Sequence, residues 1–286
     1  MTDARVTALM PVRDYLPTYL QEAVGSLLAQ TSPRWRALVI RDGPTREELE
    51  GHLGDAARDP RIEIVEPRGR RLARALNSGM RAAGTEFVAS LFADDRWDPE
   101  AVEVLERNIV ERPKVDFFHS ARRYIDDEGN RISDVIQARP DVCLETFSET
   151  APVKHLMCWR RELALSIGGI DESLHSVAPD DYDFPWSMVE AGARIEAIPE
   201  CLYVYRDHRS CFRLTTHLPL RTHLRETRRI LRKHGVPRDK IRERLAIARG
   251  SYLQQCLYSS RLDGWLKRAL RRDDPARGWR ESYDRL

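Results

Sequence analysis

Long apolar runs are missing from this 286-residue chain, which nowhere approaches the roughly 18 to 20 uninterrupted hydrophobic residues that a membrane-spanning helix needs. Its opening, MTDARV, has neither the basic start nor the apolar stretch of a secretory signal, so the expected address is the cytoplasm. Cysteine is scarce and badly spaced for bridging. The five, Cys143, Cys158, Cys201, Cys211 and Cys256, are odd in number and form no C-x-x-C pair, which argues for reduced thiols rather than a disulfide framework or a zinc knuckle. Several common motifs are lacking too. Gly79 to Gly84 has a G-x-x-x-x-G spacing, but Thr85 and Glu86 stand where a phosphate-binding loop needs Lys and then Ser or Thr, and no G-x-G-x-x-G follows the first strand-like segment. Without G-x-S-x-G or H-E-x-x-H, esterase and zinc-protease readings have no anchor.

Charge is what the chain has in quantity, at 32% of residues against 42% hydrophobic, enough of the latter for one large domain or two small ones. The net charge of +2 conceals a division along the sequence. Residues 221–286 hold 19 Lys+Arg against 8 Asp+Glu, whereas residues 1–220 hold 28 against 37. A basic tail on an acidic body suggests an anionic partner, either nucleic acid or a membrane surface, without choosing between them.

The first hundred residues alternate short apolar runs with helix-like stretches, the pattern of a parallel sheet with crossover helices. Strands are expected at Arg5 to Met10, Arg36 to Ile40, Arg61 to Val65 and Phe87 to Phe92. Leu16 to Gln30 and Leu72 to Ala83 have helical spacing between them. In open α/β sheets ligands sit beyond the carboxyl ends of the strands, near the point where strand order reverses. Three polar segments, Pro11 to Asp14, Asp42 to Thr45 and Asp94 to Trp97, then share one rim. Beyond residue 100 a strand at Val115 to Ser120, an acidic cluster at Asp180, Asp181 and Asp183, and a strand at Cys201 to Tyr205 are expected. From Leu220 onward the spacing is helical, broken at Gly235 and Pro237.

Two acidic groups carry chemistry, each with a plainer alternative. Asp94 and Asp95 repel each other at the end of a strand. A hard divalent cation such as Mg²⁺ or Mn²⁺, bound jointly with a phosphate-bearing substrate, would compensate them; capping of the helix that begins near Pro99 is the competing role. Asp180, Asp181 and Asp183 enter another helix, so N-capping competes there with general-base chemistry. The eight histidines are scattered, and His208 is the one set among other polar candidates.

Taken together, MPVRD, YLQEAVGSLLAQT, LVIRDGPT, RLARALNSGMRAAGTEFVASLFADDRW, RRELALSIGGIDESL, DDYDF and CLYVYRDH resemble the family 2 glycosyltransferases of GT-A fold, over roughly residues 5 to 210. The resemblance implies a Rossmann-like, mostly parallel α/β sheet flanked by helices. It also implies an inverting transferase using a nucleotide-diphosphate sugar and Mn²⁺ or Mg²⁺. On that resemblance Asp95 is the metal ligand that reaches the diphosphate, and Asp94 faces the ribose or assists the metal. Pro11, Val12 and Arg13 form the base-binding wall, Asp42 binds the nucleobase, and Arg71 reads the base or phosphate. Asp181 aligns with the catalytic base, and His208 stands where some members place a phosphate or metal contact. The chain also departs from the pattern. Phe92, Arg41 and Pro44 replace an acid, an acid and a serine, and Arg13 replaces a stacking tyrosine. Pro185 and Ser187 replace commoner aromatic and arginine residues.

The expected organisation is a GT-A domain over residues 1–215 and a basic helical extension over residues 216–286. In the extension, basic residues from Arg261 to Arg272 surround Leu262, Trp265, Leu266 and Leu270. That arrangement suits either peripheral contact with an anionic bilayer at the inner face of the membrane or a solvated helix packed on the catalytic domain. Sparse aromatics disfavour nucleic acid. A glycan, a lipid-linked group or a small molecule fits equally well as acceptor. A scaffold that binds a nucleotide or glycan without catalysis is the alternative class.

Overall fold

The computed structural model describes residues 4–174, 179–207 and 219–259. Its order of elements is β1 (Val6–Val12), α1 (Pro17–Leu28), β2 (Trp35–Arg41), α2 (Arg46–Leu53), β3 (Ile62–Val65), α3 (Leu72–Ala82), β4 (Phe87–Ser90), β5 (Arg96–Trp97), α4 (Ala101–Glu111) and β6 (Phe117–Ile125). There follow α5 (Leu144–Glu149), β7 (Met157–Arg160), α6 (Arg161–Ser166), a π-turn (Pro179–Asp183), α7 (Phe184–Glu190), β8 (Ile195–Arg206), α8 (Leu220–Lys233) and α9 (Arg238–Ser259). Eight strands form one sheet in the order β3-β2-β1-β4-β7-β6-β8-β5. The β3-β2-β1-β4 half is parallel, and β7 runs antiparallel to both β4 and β6.

Side-chain alternation divides the core between the two faces of the sheet. Ala8, Met10 and Val12 of β1 pack with α1, α2 and α4, while Leu9 packs on the opposite face with α3. Gly79 lets α3 lie flush on that face, since a Cβ there would stand 2.6 Å from Ile40 Cδ1. The same second face receives Ile230 and Leu231 of α8 and Val236, Ile241 and Leu245 beyond it, together with Phe117, Trp159, Phe184 and Trp186. The helical extension therefore shares the core of the sheet.

Strand β1 continues through Pro11 to Val12 instead of stopping at Met10. The β1–β4 register ends at Leu9 and Ser90, and the Leu9 carbonyl accepts from Leu91 N on that side. By parity the position of a Pro11 N–H faces the same side, past the end of the ladder, so its absence costs no strand bond. β4 is correspondingly shorter than expected, ending at Ser90, and β6 runs on to Ile125 through two bulges flanking Ala121. Among the described residues no helix is long and apolar enough to cross a membrane, and Cys143, Cys158 and Cys201 are unpaired.

One buried group on β6 titrates out of its ordinary range. His119 is fully buried. Burial pushes its pKa down to about 4, aided by Arg122 and Lys154. The folded ring is neutral, whereas the unfolded chain takes up a proton below about pH 6.5. Its contribution to stability is complete above that pH and is lost as the pH falls toward 4, about 3 kcal/mol in all. Urea midpoints of a His119→Leu variant between pH 7 and pH 4 should decline less steeply than those of the parent; an unchanged slope would assign the acid sensitivity elsewhere.

Candidate active site

Three strand ends and one helix start build the first wall of the site. At the end of β2, Asp42 is almost fully buried and its backbone N–H donates to the Val12 carbonyl at 2.7 Å. Its Oδ2 accepts from the backbone N–H of Arg71 at 2.7 Å and lies 3.8 Å from an Arg13 guanidinium nitrogen. Arg71 achieves this with φ at 90°, the one positive value outside glycine among the described residues. Arg13 and Arg71 are exposed, Pro11 is half-buried, and Val12 is fully buried in the core. Val12 can therefore offer this wall only backbone atoms, because it shares the inward face of β1 with Met10.

At the end of β4 the two neighbouring carboxylates have opposite fates. Asp95 is 2% exposed, with Oδ2 accepting from Tyr203 Oη at 2.7 Å and Oδ1 from the backbone N–H of Arg206 at 2.8 Å. Burial pushes its carboxyl well above the usual range, reinforced by Asp94 and opposed by the bonds from Arg206 and Tyr203. A group enclosed in this way ties β8 to the β4–β5 loop and stands behind the rim. Asp94 is half-buried at the rim, and its backbone carbonyl accepts from Arg206 Nε at 3.0 Å.

Arg206 makes this arrangement possible, and sequence reasoning did not single it out. Its side chain is completely buried, donates to the carbonyls of Asp126 and Asp127 at 3.1 and 3.3 Å, pairs with Glu22 of α1 and lies 4.2 Å over the Tyr19 ring. The only sequence signal was its place in the CLYVYRDH block. His208, in the same block, lies outside the described residues, as does Arg261 to Arg272.

The acidic π-turn forms a second wall, and two of its four polar side chains, Tyr182 and Asp183, are held by hydrogen bonds. Tyr182 Oη donates to the Phe147 carbonyl at 2.8 Å, Asp183 is fully buried against α8, and Asp180 Oδ2 lies 3.8 Å from His155 Nε2. In Asp181, Oδ1 is shielded from water and has no hydrogen-bond partner. Burial raises the Asp181 carboxyl, then Asp180 does, against a downward pull from Lys154 and His155. A carboxylate pushed in that direction is a better proton acceptor.

His155 joins the two walls. Its ring meets Phe92 edge-on at 5.1 Å and the Tyr203 ring at 5.3 Å, while its Nε2 approaches Asp180. Tyr203 is the same residue that holds Asp95, so the Asp94–Asp95 loop and the 179–183 turn meet through His155 and Tyr203. A second support was also missed from sequence. Asn77 of α3 donates to the Ile170 carbonyl at 2.8 Å and accepts from Ile170 N at 2.9 Å, and a Cβ on Gly169 would stand 2.4 Å from its Oδ1. Among the described residues no three of His, Cys, Asp and Glu come together as a metal site.

Similarity to known proteins points the same way. Over 225 residues the chain is 29% identical to the pre-mycofactocin glycosyltransferase of Mycobacterium tuberculosis, covering 73% of this chain and 44% of that one. It is 22% identical to the hyaluronan synthase of Pasteurella multocida over 195 residues, 66% of this chain and 20% of the other. The chain thus spans less than half the length of these relatives. Among solved structures, S. aureus TarS 1-349 in complex with UDP-GlcNAc superposes with a TM-score of 0.62 at 15% identity, covering 91% of this chain and 75% of that one. The mannosyltransferase PcManGT from Pyrobaculum calidifontis, in complex with GDP-Man and Mn²⁺, gives 0.60 at 17%, covering 98% and 84%. The fold is GT-A. A family model described as glycosyl transferase family 2 matches residues 7–163, more than half of the sequence and every strand end of the first wall. The chain belongs to that family.

Proposed function

We propose that this chain transfers a sugar, with inversion, from a nucleotide-diphosphate donor to an acceptor hydroxyl, and that Asp181 is the general base. The observation that carries the reading is the unpartnered Oδ1 of Asp181 in a turn whose Tyr182 and Asp183 are held by hydrogen bonds. Buried polar atoms are seldom left without a partner, and those that are call for an explanation; an incoming alcohol supplies one. Asp181 takes the hydroxyl proton as the oxygen attacks the anomeric carbon. The nucleotide lies against Pro11, Arg13 and the strap from Asp42 to Arg71, an alignment that sets the line of attack.

A divalent cation fits this site if the substrate completes it. Mg²⁺ is commonly held by one or two carboxylates together with substrate phosphates and water. Asp94 is the half-buried carboxylate at the rim, whereas Asp95 is almost fully buried behind it. Asp94 is therefore the residue assigned to the cation, with His208 as a second candidate. When bound, the cation supplies charge neutralisation on the departing diphosphate. The exposed Arg13 and Arg71 add positive charge at the nucleotide end. TarS and PcManGT, with UDP-GlcNAc and GDP-Man in their structures, guide the choice of donors to test.

Purified protein incubated with a panel of UDP and GDP sugars should release nucleoside diphosphate in a Mn²⁺-dependent manner. Asp94→Ala should weaken Mn²⁺-dependent donor binding by about tenfold or more, a loss of at least about 1.4 kcal/mol. Equal donor titrations of parent and variant, with and without Mn²⁺, would reject Asp94 as the ligand. No turnover with any donor of the panel would reject the transferase reading.

A further inference from the structure

The turn that carries Asp181 is gripped from a direction that the donor-binding wall does not supply. Asp183, two residues beyond Asp181, has a fully buried side chain. Its Oδ2 accepts from Lys233 Nζ at 2.7 Å, and His234 Nε2 lies 3.0 Å from its Oδ1. Both partners stand at the carboxyl end of α8, where helix geometry favours positive charge. The His234 ring, itself sealed from solvent, stacks on Trp186 of α7 with centroids 4.2 Å apart and planes 7° from parallel. Its Nδ1 lies 2.9 Å from Glu190 Oε1. The end of α8 thus touches α7 at its N-cap, its middle and its last residue. Lys233 also reaches Asp171 Oδ2 at 3.2 Å, in the loop that Asn77 fastens to α3.

A buried carboxylate that loses its ammonium and imidazole partners must move or take up a proton. Asp183 can move only by carrying its turn with it. Tyr182 anchors that turn to α5 by one bond, and Asp180 meets His155 only at 3.8 Å. Asp183 is the point at which α8 grips the turn. We propose that Lys233 and His234 are positioning residues for sugar transfer, holding the 179–183 turn through Asp183 so that the Asp181 carboxylate faces the acceptor. This rests on Asp181 being the base. It also makes the basic helical extension a working part of the active site.

The test uses the full chain with Lys233→Met and His234→Gln, and Lys233→Arg as the conservative variant. Lys233 is 36% exposed, so its loss leaves no cavity in the core. With UDP-GlcNAc and GDP-mannose as probes and Mn²⁺ present, kcat for diphosphate release should fall about tenfold or more while the donor KM stays within about twofold, because a misplaced base slows chemistry without weakening donor binding. Lys233→Arg should restore most of the rate. Hydrogen exchange of amides 180–183 should quicken at least about fivefold in Lys233→Met, with β1 to β4 unchanged, and this readout needs no substrate. Parental kcat and unchanged exchange in Lys233→Met and His234→Gln, beside an inactive Asp181→Asn, would overturn the positioning role and leave the base standing. An active Asp181→Asn would overturn the base and the positioning role with it.

Discussion

Asp181→Asn should lower the rate of sugar transfer by about 10²- to 10⁴-fold, the usual worth of a positioned general base. Asparagine keeps the size and one carbonyl oxygen of the side chain but cannot accept a proton at neutral pH. Donor binding should be nearly unaffected, because Asp181 lies in the 179–183 turn and not among the strand ends that carry Asp42, Arg13 and Arg71. Titration of the variant with UDP or GDP should give dissociation constants within about twofold of the parent. Ordinary turnover in this variant would remove Asp181 from the mechanism. Asp183 is enclosed by Lys233 and His234, so Asp180→Asn is the companion variant that separates the two remaining acids of the turn.

Arg206→Met should destabilise the fold by about 3 kcal/mol, the lower end of the range for breaking a buried ion pair. The lower end applies because the Glu22 side chain is 40% exposed and can rehydrate. The carbonyls of Asp94, Asp126 and Asp127 lose a donor in the same substitution. Arg206→Lys should recover little, since an ammonium cannot span the separate partners that the planar guanidinium fork reaches. Urea unfolding of the three proteins measures both effects. A midpoint for Arg206→Met equal to that of the parent would show that Glu22 and the three carbonyls find other partners.

Periodicity revealed the parallel half of the sheet and the rim at its strand ends, because four short apolar runs there end in polar turns. Beyond residue 100 the same signal weakens for identifiable reasons. β6 continues through Arg122 and Arg123, whose charges interrupt the apolar run, while a partner strand of twelve residues, β8, keeps it in the sheet. β5, at two residues, is too short to show a period. Adjacent carboxylates cannot be ranked from sequence once the chain has left the strand, and β4 ends at Ser90. Tyr203 and Arg206, more than a hundred positions away, decide that Asp95 turns inward. Lys233 and His234 were read only as members of a basic helix; their link to Asp183 spans 50 residues and leaves no local mark.

Arg71 has a wider meaning than its single bond to Asp42. Its backbone sits where glycine rests easily and a side chain does not, at a penalty of order 1 kcal/mol or more. Replacement by glycine would relieve that penalty and keep the amide that grips Asp42. On the proposed function, Arg71→Gly should therefore stabilise the fold by about 1 kcal/mol while weakening capture of the donor, a trade that only the exposed guanidinium can set.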